Sequence, residues 1–116
     1  MPIMTNYEFG DIVLVGFPFT DGTTVKKRPA VVVSSSAANL NRPDIILVAV
    51  TSRIHSPDYF GDVAITEWQQ AGLLKPSMIK PVFTTLEKGL ILRKLGRLGK
   101  RDRKAVLQTL KAVLGE

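Results

Sequence analysis

The sequence contains no cysteine, so it has neither a disulfide framework nor thiolate chemistry, and this fits a chain that works in the cytoplasm. It has one histidine, His55, which argues against a histidine-based metal site; no metal or other cofactor is expected. No apolar run approaches the roughly 18 residues that a membrane span requires. The first six residues, Met-Pro-Ile-Met-Thr-Asn, lack the basic stretch followed by an apolar one that marks a secretory leader, so no membrane partner is expected. Acidic residues are also scarce, with 10 Asp and Glu against 16 Lys and Arg, a net charge of +6. The surplus is uneven: residues 1–58 are balanced, and all of it lies in residues 59–116. A basic balance of this kind favours a polyanion such as nucleic acid, although it also serves solubility.

The 116 residues suit one domain with a single core, covering residues 1–116. Its organising stretch is residues 10–36, where two apolar runs, 12–17 and 30–33, flank a polar loop containing Gly22 and two threonines. These runs are apolar on both faces, as in strands buried on both sides or closed into a small barrel. Lys26, Lys27 and Arg28 stand where the loop re-enters the second strand, and Pro29 marks its start and holds Arg28 extended at the sheet rim. A third apolar run, 45–50, follows a small-residue connection beginning Ser34-Ser35-Ser36 and ends at Thr51-Ser52-Arg53.

The second half is more broken. A short strand is expected around residues 63–65, and a brief turn at residues 66–73 closes at Gly72 with Trp68 packed inward. Strands are expected at residues 77–80, bracketed by Pro76 and Pro81, and then at 84–87 and 91–95. From Asp102, a plausible helix cap, the period changes: Val106, Leu107, Leu110, Val113 and Leu114 fall on one helical face. Many short strands and one terminal helix give a mainly β fold, a small SH3-like β-barrel with a C-terminal α-helix.

Gly10-Asp11-Ile12-Val13-Leu14-Val15, Lys27-Arg28-Pro29-Ala30-Val31-Val32-Val33-Ser34 and Val50-Thr51-Ser52 resemble the signature blocks of the MazF/PemK toxin family. Trp68 through Gly72, Lys75-Pro76-Ser77, Thr85-Leu86-Glu87 and Lys94-Leu95-Gly96-Arg97-Leu98 are similar to that family's second half, so the likeness covers nearly the whole chain. The resemblance implies a homodimer, metal-independent endoribonuclease activity on single-stranded RNA, and a cognate antitoxin protein that blocks the RNA groove. The chain departs from the pattern in its carboxylates. The loop before Arg28-Pro29 reads Thr23-Thr24-Val25, and Pro81-Val82-Phe83 follows Lys80, so neither of the family's acidic positions is filled.

Cleavage by the RNA's own 2′-hydroxyl needs an aligned oxygen, a base for its proton, a cation for the phosphorane and an acid for the departing 5′-oxygen. Arg28, always charged and able to bind two phosphate oxygens at once, is the candidate for the phosphorane. Thr51 is the second catalytic candidate, a strand-end hydroxyl that donates to the scissile phosphate without adding charge. An ordinary strand-end hydroxyl bonded to its own backbone is the plainer alternative. Lys26, Lys27, Ser52, Arg53 and Lys80 are candidate RNA contacts, with solvated surface groups as their alternative. His55 is the only side chain whose ordinary pKa suits proton transfer near neutrality, yet a lone loop histidine is usually solvated, and it is placed among the RNA contacts. The cations between Arg93 and Lys104 read either as an extension of an RNA track or antitoxin surface, or as a solvated turn and first helical turn. A non-catalytic SH3-like module holding nucleic acid or an acidic protein on the same basic rim is the competing function.

Overall fold

The computed structural model of the chain describes residues 6–18, 25–54 and 58–115. Among these, six strands form one antiparallel sheet: β1 (Asp11–Pro18), β2 (Val25–Val32), β3 (Asp44–Thr51), β4 (Val63–Ala64), β5 (Met78–Glu87) and β6 (Arg93–Arg97). Their order across the sheet is β4-β5-β3-β2-β1-β6. Two helices complete the fold, α1 (Ser36–Asn41) and the C-terminal α2 (Lys100–Val113). The mainly β barrel with a terminal helix expected from the sequence is what the chain forms.

The apolar runs are apolar on both faces because both faces of the sheet are covered. On one face Ile12, Val31, Val48, Val50 and Ile79 meet Ile65, Leu98 and Val106, beneath α2 and the segment 65–77, with Trp68 packed against them. On the other, Val13, Val15, Ala30, Val32, Ile45 and Leu47 meet Tyr7 and, from the β5–β6 connection and its approaches, Leu86 and Ile91. That connection crosses the second face to carry the chain from the neighbour of β3 to the far side of β1. It is pinned at both ends, by the Lys88 N–H to the Pro43 carbonyl (3.0 Å) and the Leu92 N–H to the Leu14 carbonyl (2.9 Å). Sheet and crossover together make a curled half-barrel.

Several local expectations need correction. Pro29 does not begin the second strand: β2 starts at Val25, and Arg28 lies within it opposite Val15. Pro29 is tolerated there because the β2–β3 ladder begins only at Ala30, so no N–H is required of it on that side. Strands 77–80 and 84–87 are one strand, β5, which runs through Pro81. The register against β3 shifts between Val48 and Ala49, leaving Pro81 and Val82 as a bulge where a missing N–H costs nothing. The small-residue connection contains α1, whose first turn is capped by the Ser35 hydroxyl accepting from the Ala38 N–H. Inside it Asn39 is buried, donating to the Tyr7 carbonyl at 2.8 Å and accepting from the Ser34 hydroxyl.

Asp102 does not cap its own helix, whose N-cap is Gly99. Buried in the first turn of α2, its carboxylate accepts from the Thr66 N–H and hydroxyl and from the Glu67 N–H, at 2.8–3.1 Å. It therefore ties the 65–77 segment to the helix. Of the apolar helical stripe, Val106 is buried, Leu110 and Val113 are half-buried, and Leu107 and Leu114 are exposed.

Candidate functional site

The segment 65–77 passes close over β6 because both chains are glycine at the crossing. A Cβ at Gly96 would overlap the Ala71 carbonyl, and one at Gly72 would overlap the Leu95 carbonyl. Gly72 also has φ near +92°, a conformation that L side chains rarely adopt. Beside this crossing, between the segment, the middle of β1 and β2 and the end of β3, opens a pocket of about 320 Å³. Its walls are apolar: Leu14, Pro29 and Val50 from the sheet, Leu95 from β6, and Leu73 and Leu74 from the overlying segment. Its polar groups are three cations, Arg28, Lys75 and Arg93, and two serines, Ser52 and Ser77. No Asp, Glu or His is among the described residues that line it.

Strand geometry explains how distant residues converge here. Arg28 is half-buried mid-strand, next to Pro29 on β2. Ser52 is exposed directly after β3, whose register sets Ala49 opposite Ala30. Continuing that antiparallel register by two residues puts Thr51 level with Arg28, just past the last β2–β3 pair. Arg93 arrives by a different route, opposite Leu14 on β1. Lys75 and Ser77 come from the overlying segment, where the Ser77 hydroxyl donates to the Lys75 carbonyl at 2.9 Å.

Of the sequence candidates, Arg28 and Ser52 therefore share one pocket. Thr51 adjoins it through Ser52 and Val50, and its Oγ1 accepts from the Arg53 N–H at 3.1 Å. That bond fixes the oxygen and leaves the hydroxyl hydrogen to donate elsewhere. Lys26 and Lys27 are exposed on β2, paired in register with Phe17 and Gly16, and Arg53 is exposed beyond β3. Lys80 is not brought to the pocket. It sits on β5 opposite Ala49, with its ammonium 3.9 Å from Asp62 and 5.6 Å from the centre of the Tyr59 ring. His55, like Thr23 and Thr24 of the loop before Arg28, lies outside the described residues.

Sequence reasoning missed Lys75 and Arg93 as site residues. Lys75 was visible only as part of a family-like block. Arg93 was absorbed into the 93–104 cation cluster, which the structure divides. Lys94 stands 3.2 Å from Oδ2 of fully buried Asp11, and Arg97 bridges Glu8 (3.5 Å) and Asp11 (3.8 Å). Arg103 donates to the Leu98 carbonyl at 2.6 Å while its alkyl chain fills the space beside Gly10, which is itself at φ +91°. These three cations hold the scaffold together, whereas Lys100, Arg101 and Lys104 are on α2, exposed.

Among the described residues no group of three His, Cys, Asp or Glu side chains lies together as metal ligands would, and no helix is long and apolar enough to cross a membrane.

The chain is thus a small curled β half-barrel with a terminal helix and a cation-lined pocket on one face of its sheet, and comparison with known proteins gives its class. Residues 8–114 match the family model described as PemK-like, MazF-like toxin of type II toxin-antitoxin system, and the chain belongs to that family. Among solved structures it is similar to a mycobacterial endoribonuclease in complex with its cognate antitoxin, with 18% identity, 94% of this chain and 95% of that one covered, and a TM-score of 0.77. It is also similar to MazF from Deinococcus radiodurans, at 21% identity, 97% and 100% coverage and TM-score 0.76. The Mycobacterium tuberculosis toxin MazF-mt6 is a further match, at 16% identity, 88% and 93% coverage and TM-score 0.72. A search of curated protein sequences gives no match.

Proposed function

We propose that this chain is the toxin of a type II toxin–antitoxin pair, a cytoplasmic homodimer that cuts single-stranded RNA without a metal ion and is held in check by a cognate antitoxin protein. The observation that carries this reading is the convergence of Arg28 with Ser52 in one pocket, with Thr51 next to Ser52 where the β2–β3 pairing has ended. Family membership supports the toxin role, and the antitoxin bound to the mycobacterial relative supports a protein partner.

In this reaction the 2′-hydroxyl attacks the adjacent phosphorus and the P–O5′ bond breaks, leaving a 2′,3′-cyclic phosphate and a 5′-hydroxyl end. Arg28, anchored in a strand rather than on a loop, opposes the charge that grows on the non-bridging oxygens of the phosphorane. The Thr51 hydroxyl, with its oxygen fixed by the Arg53 N–H, donates to the same oxygens. Ser52, Lys26, Lys27 and Arg53 line the approach as contacts to the RNA backbone. His55 and Lys80 were candidates for the same role. Lys80, drawn toward Asp62 and Tyr59, contributes less than the other lysines.

Purified protein incubated with long single-stranded RNA in EDTA tests the proposal. Wild type should yield fragments with cyclic phosphate and 5′-hydroxyl ends. Arg28→Ala should lose about 10²–10³ of the rate, the scale expected on losing one preorganised charge or donor at a developing oxyanion. Intact RNA in every lane, with folded protein free of antitoxin, would overturn the ribonuclease. RNA retained but uncut would leave a binding module in its place.

A further inference from the structure

We infer that the pocket between β6 and the 65–77 segment receives one unstacked nucleobase of a single-stranded RNA, and that Lys75 and Arg93 hold the phosphates on either side of it. The inference deepens the proposed RNA recognition and assigns two positioning residues that do not belong to the Arg28–Thr51 pair.

Four observations point this way. First, the pocket is small: about 320 Å³ lies at the low end of the ~300–1,000 Å³ of small-molecule sites, enough for a nucleotide-sized group and too little for a duplex. Second, its walls suit the flat face of a base. Leu73, Leu95 and Pro29 form the inner surface, and Leu74 stands at the mouth 94% exposed, a position that water disfavours for leucine and that a base would cover.

Third, its charge is one-sided. Lys75 comes from the overlying segment and Arg93 from β6, and among the described residues neither forms an ion pair, although Lys94 and Arg97 on the same strand are both paired with carboxylates. Cations kept clear of carboxylates beside an apolar slot complement a phosphodiester chain with one base turned inward, which is how single-stranded RNA is generally read. Fourth, the wall is fixed before any ligand arrives. The glycine crossing at Gly72 and Gly96 sets its distance from β6, and the three bonds to Asp102 set its base, so little ordering remains for binding to supply.

The test uses the full chain and a single-stranded oligonucleotide with 2′-fluoro sugars, which lacks the attacking hydroxyl, and with one 2-aminopurine as a stacking reporter. Affinity is followed by anisotropy across a salt series. Lys75→Gln and Arg93→Gln should each reduce the slope of log K on log salt by about 0.7, the value for one phosphate contact on a single strand. Each should also raise KM for cleavable RNA several-fold with kcat unchanged. Leu74→Ala should diminish the rise in 2-aminopurine emission on binding and leave the salt slope intact. Lys104→Gln, on exposed α2, serves as the control for net charge and should match wild type.

Slopes for Lys75→Gln and Arg93→Gln equal to that of Lys104→Gln would overturn the inference even if the protein cuts RNA. Reduced slopes in a protein that binds but never cuts would uphold it while the ribonuclease reading fails. Wild type that binds no RNA would overturn both.

Discussion

β6 carries cations on both of its faces, and the two sets are put to different uses. Arg93, opposite Leu14, lines the pocket with no carboxylate beside it among the described residues, whereas Lys94 and Arg97 lie along buried Asp11 and Glu8. Within five residues of one strand, the same side-chain chemistry serves once as a ligand surface and twice as scaffold. What separates them is strand alternation, reset by a bulge at Leu95 that puts Arg97 on the face of Lys94, together with where the carboxylates fall. Charge density along a sequence therefore says little about which cations remain available to a polyanion.

Asp11→Ala attacks the scaffold side of this division and should have the largest effect. Removing one partner of a fully buried pair costs about 3–5 kcal/mol, but Lys94 and Arg97 are 42% and 44% exposed, so about 2–3 kcal/mol is expected, read as a lower denaturant midpoint. Gly96→Ala strikes the crossing between the two sides. A methyl group against the Ala71 backbone should cost about 2 kcal/mol and displace the pocket wall, so stability and RNA binding should fall together.

Exchanging the two neighbours on β6 sharpens the contrast. Arg93→Ala should leave stability within about 0.5 kcal/mol of wild type, as for an exposed side chain with no ion pair among the described residues, and still weaken RNA binding. Lys94→Ala should lower stability by about 1 kcal/mol and leave RNA binding unchanged. Denaturation and anisotropy on the same two samples would decide this, and the reverse pattern would abolish the distinction.

The smallest effect is expected far from either region. The Arg42 guanidinium, bonded to Asp44 at 2.9 Å, holds that carboxyl below its ordinary range. A depressed folded-state pKa adds stability above the ordinary carboxylate range, and that stability is lost as pH falls through the folded value. Arg42→Ala should therefore reduce Tm slightly at pH 7 and not at all once both forms are protonated in strong acid. Because the pair is at the surface, the difference should also shrink with added salt.

How much of this could be read in the sequence depended on whether the cause was local. The runs at residues 12–17, 30–33 and 45–50 announced strands covered on both sides, and the two buried clusters divide their alternate residues as that pattern requires. The terminal helix was visible in its period. α1 was hidden because Ser, Ala and Asn suit loops as well as a single capped turn, and its hold comes from buried Asn39 meeting Tyr7, 32 residues earlier in the chain. Pro81 masked the continuity of β5, since a proline reads as a strand end unless a bulge receives it. At the site, Ser52 was legible as a hydroxyl just past a strand end, and Arg28 as the cation before a proline, although the strand proved to run on through both. Lys75 and Arg93 were not, because the pairing of β6 with β1, near opposite ends of the chain, and the crossing of the 65–77 segment against β6 bring them there.

Asp102 has a further consequence on the timescale of exchange. A segment such as 65–77, with no full strand of its own, would ordinarily open in local fluctuations long before the sheet does. Here Thr66 and Glu67 bond through their amides to a carboxylate buried in α2, and further along the segment lies tight against β6 at the crossing of Gly72 and Gly96. The Thr66, Glu67 and Leu73 amides should accordingly exchange hydrogen for deuterium at rates near those of the central strands. In Asp102→Asn they should exchange well ahead of them, so that the pocket wall breathes while the sheet beneath stays closed.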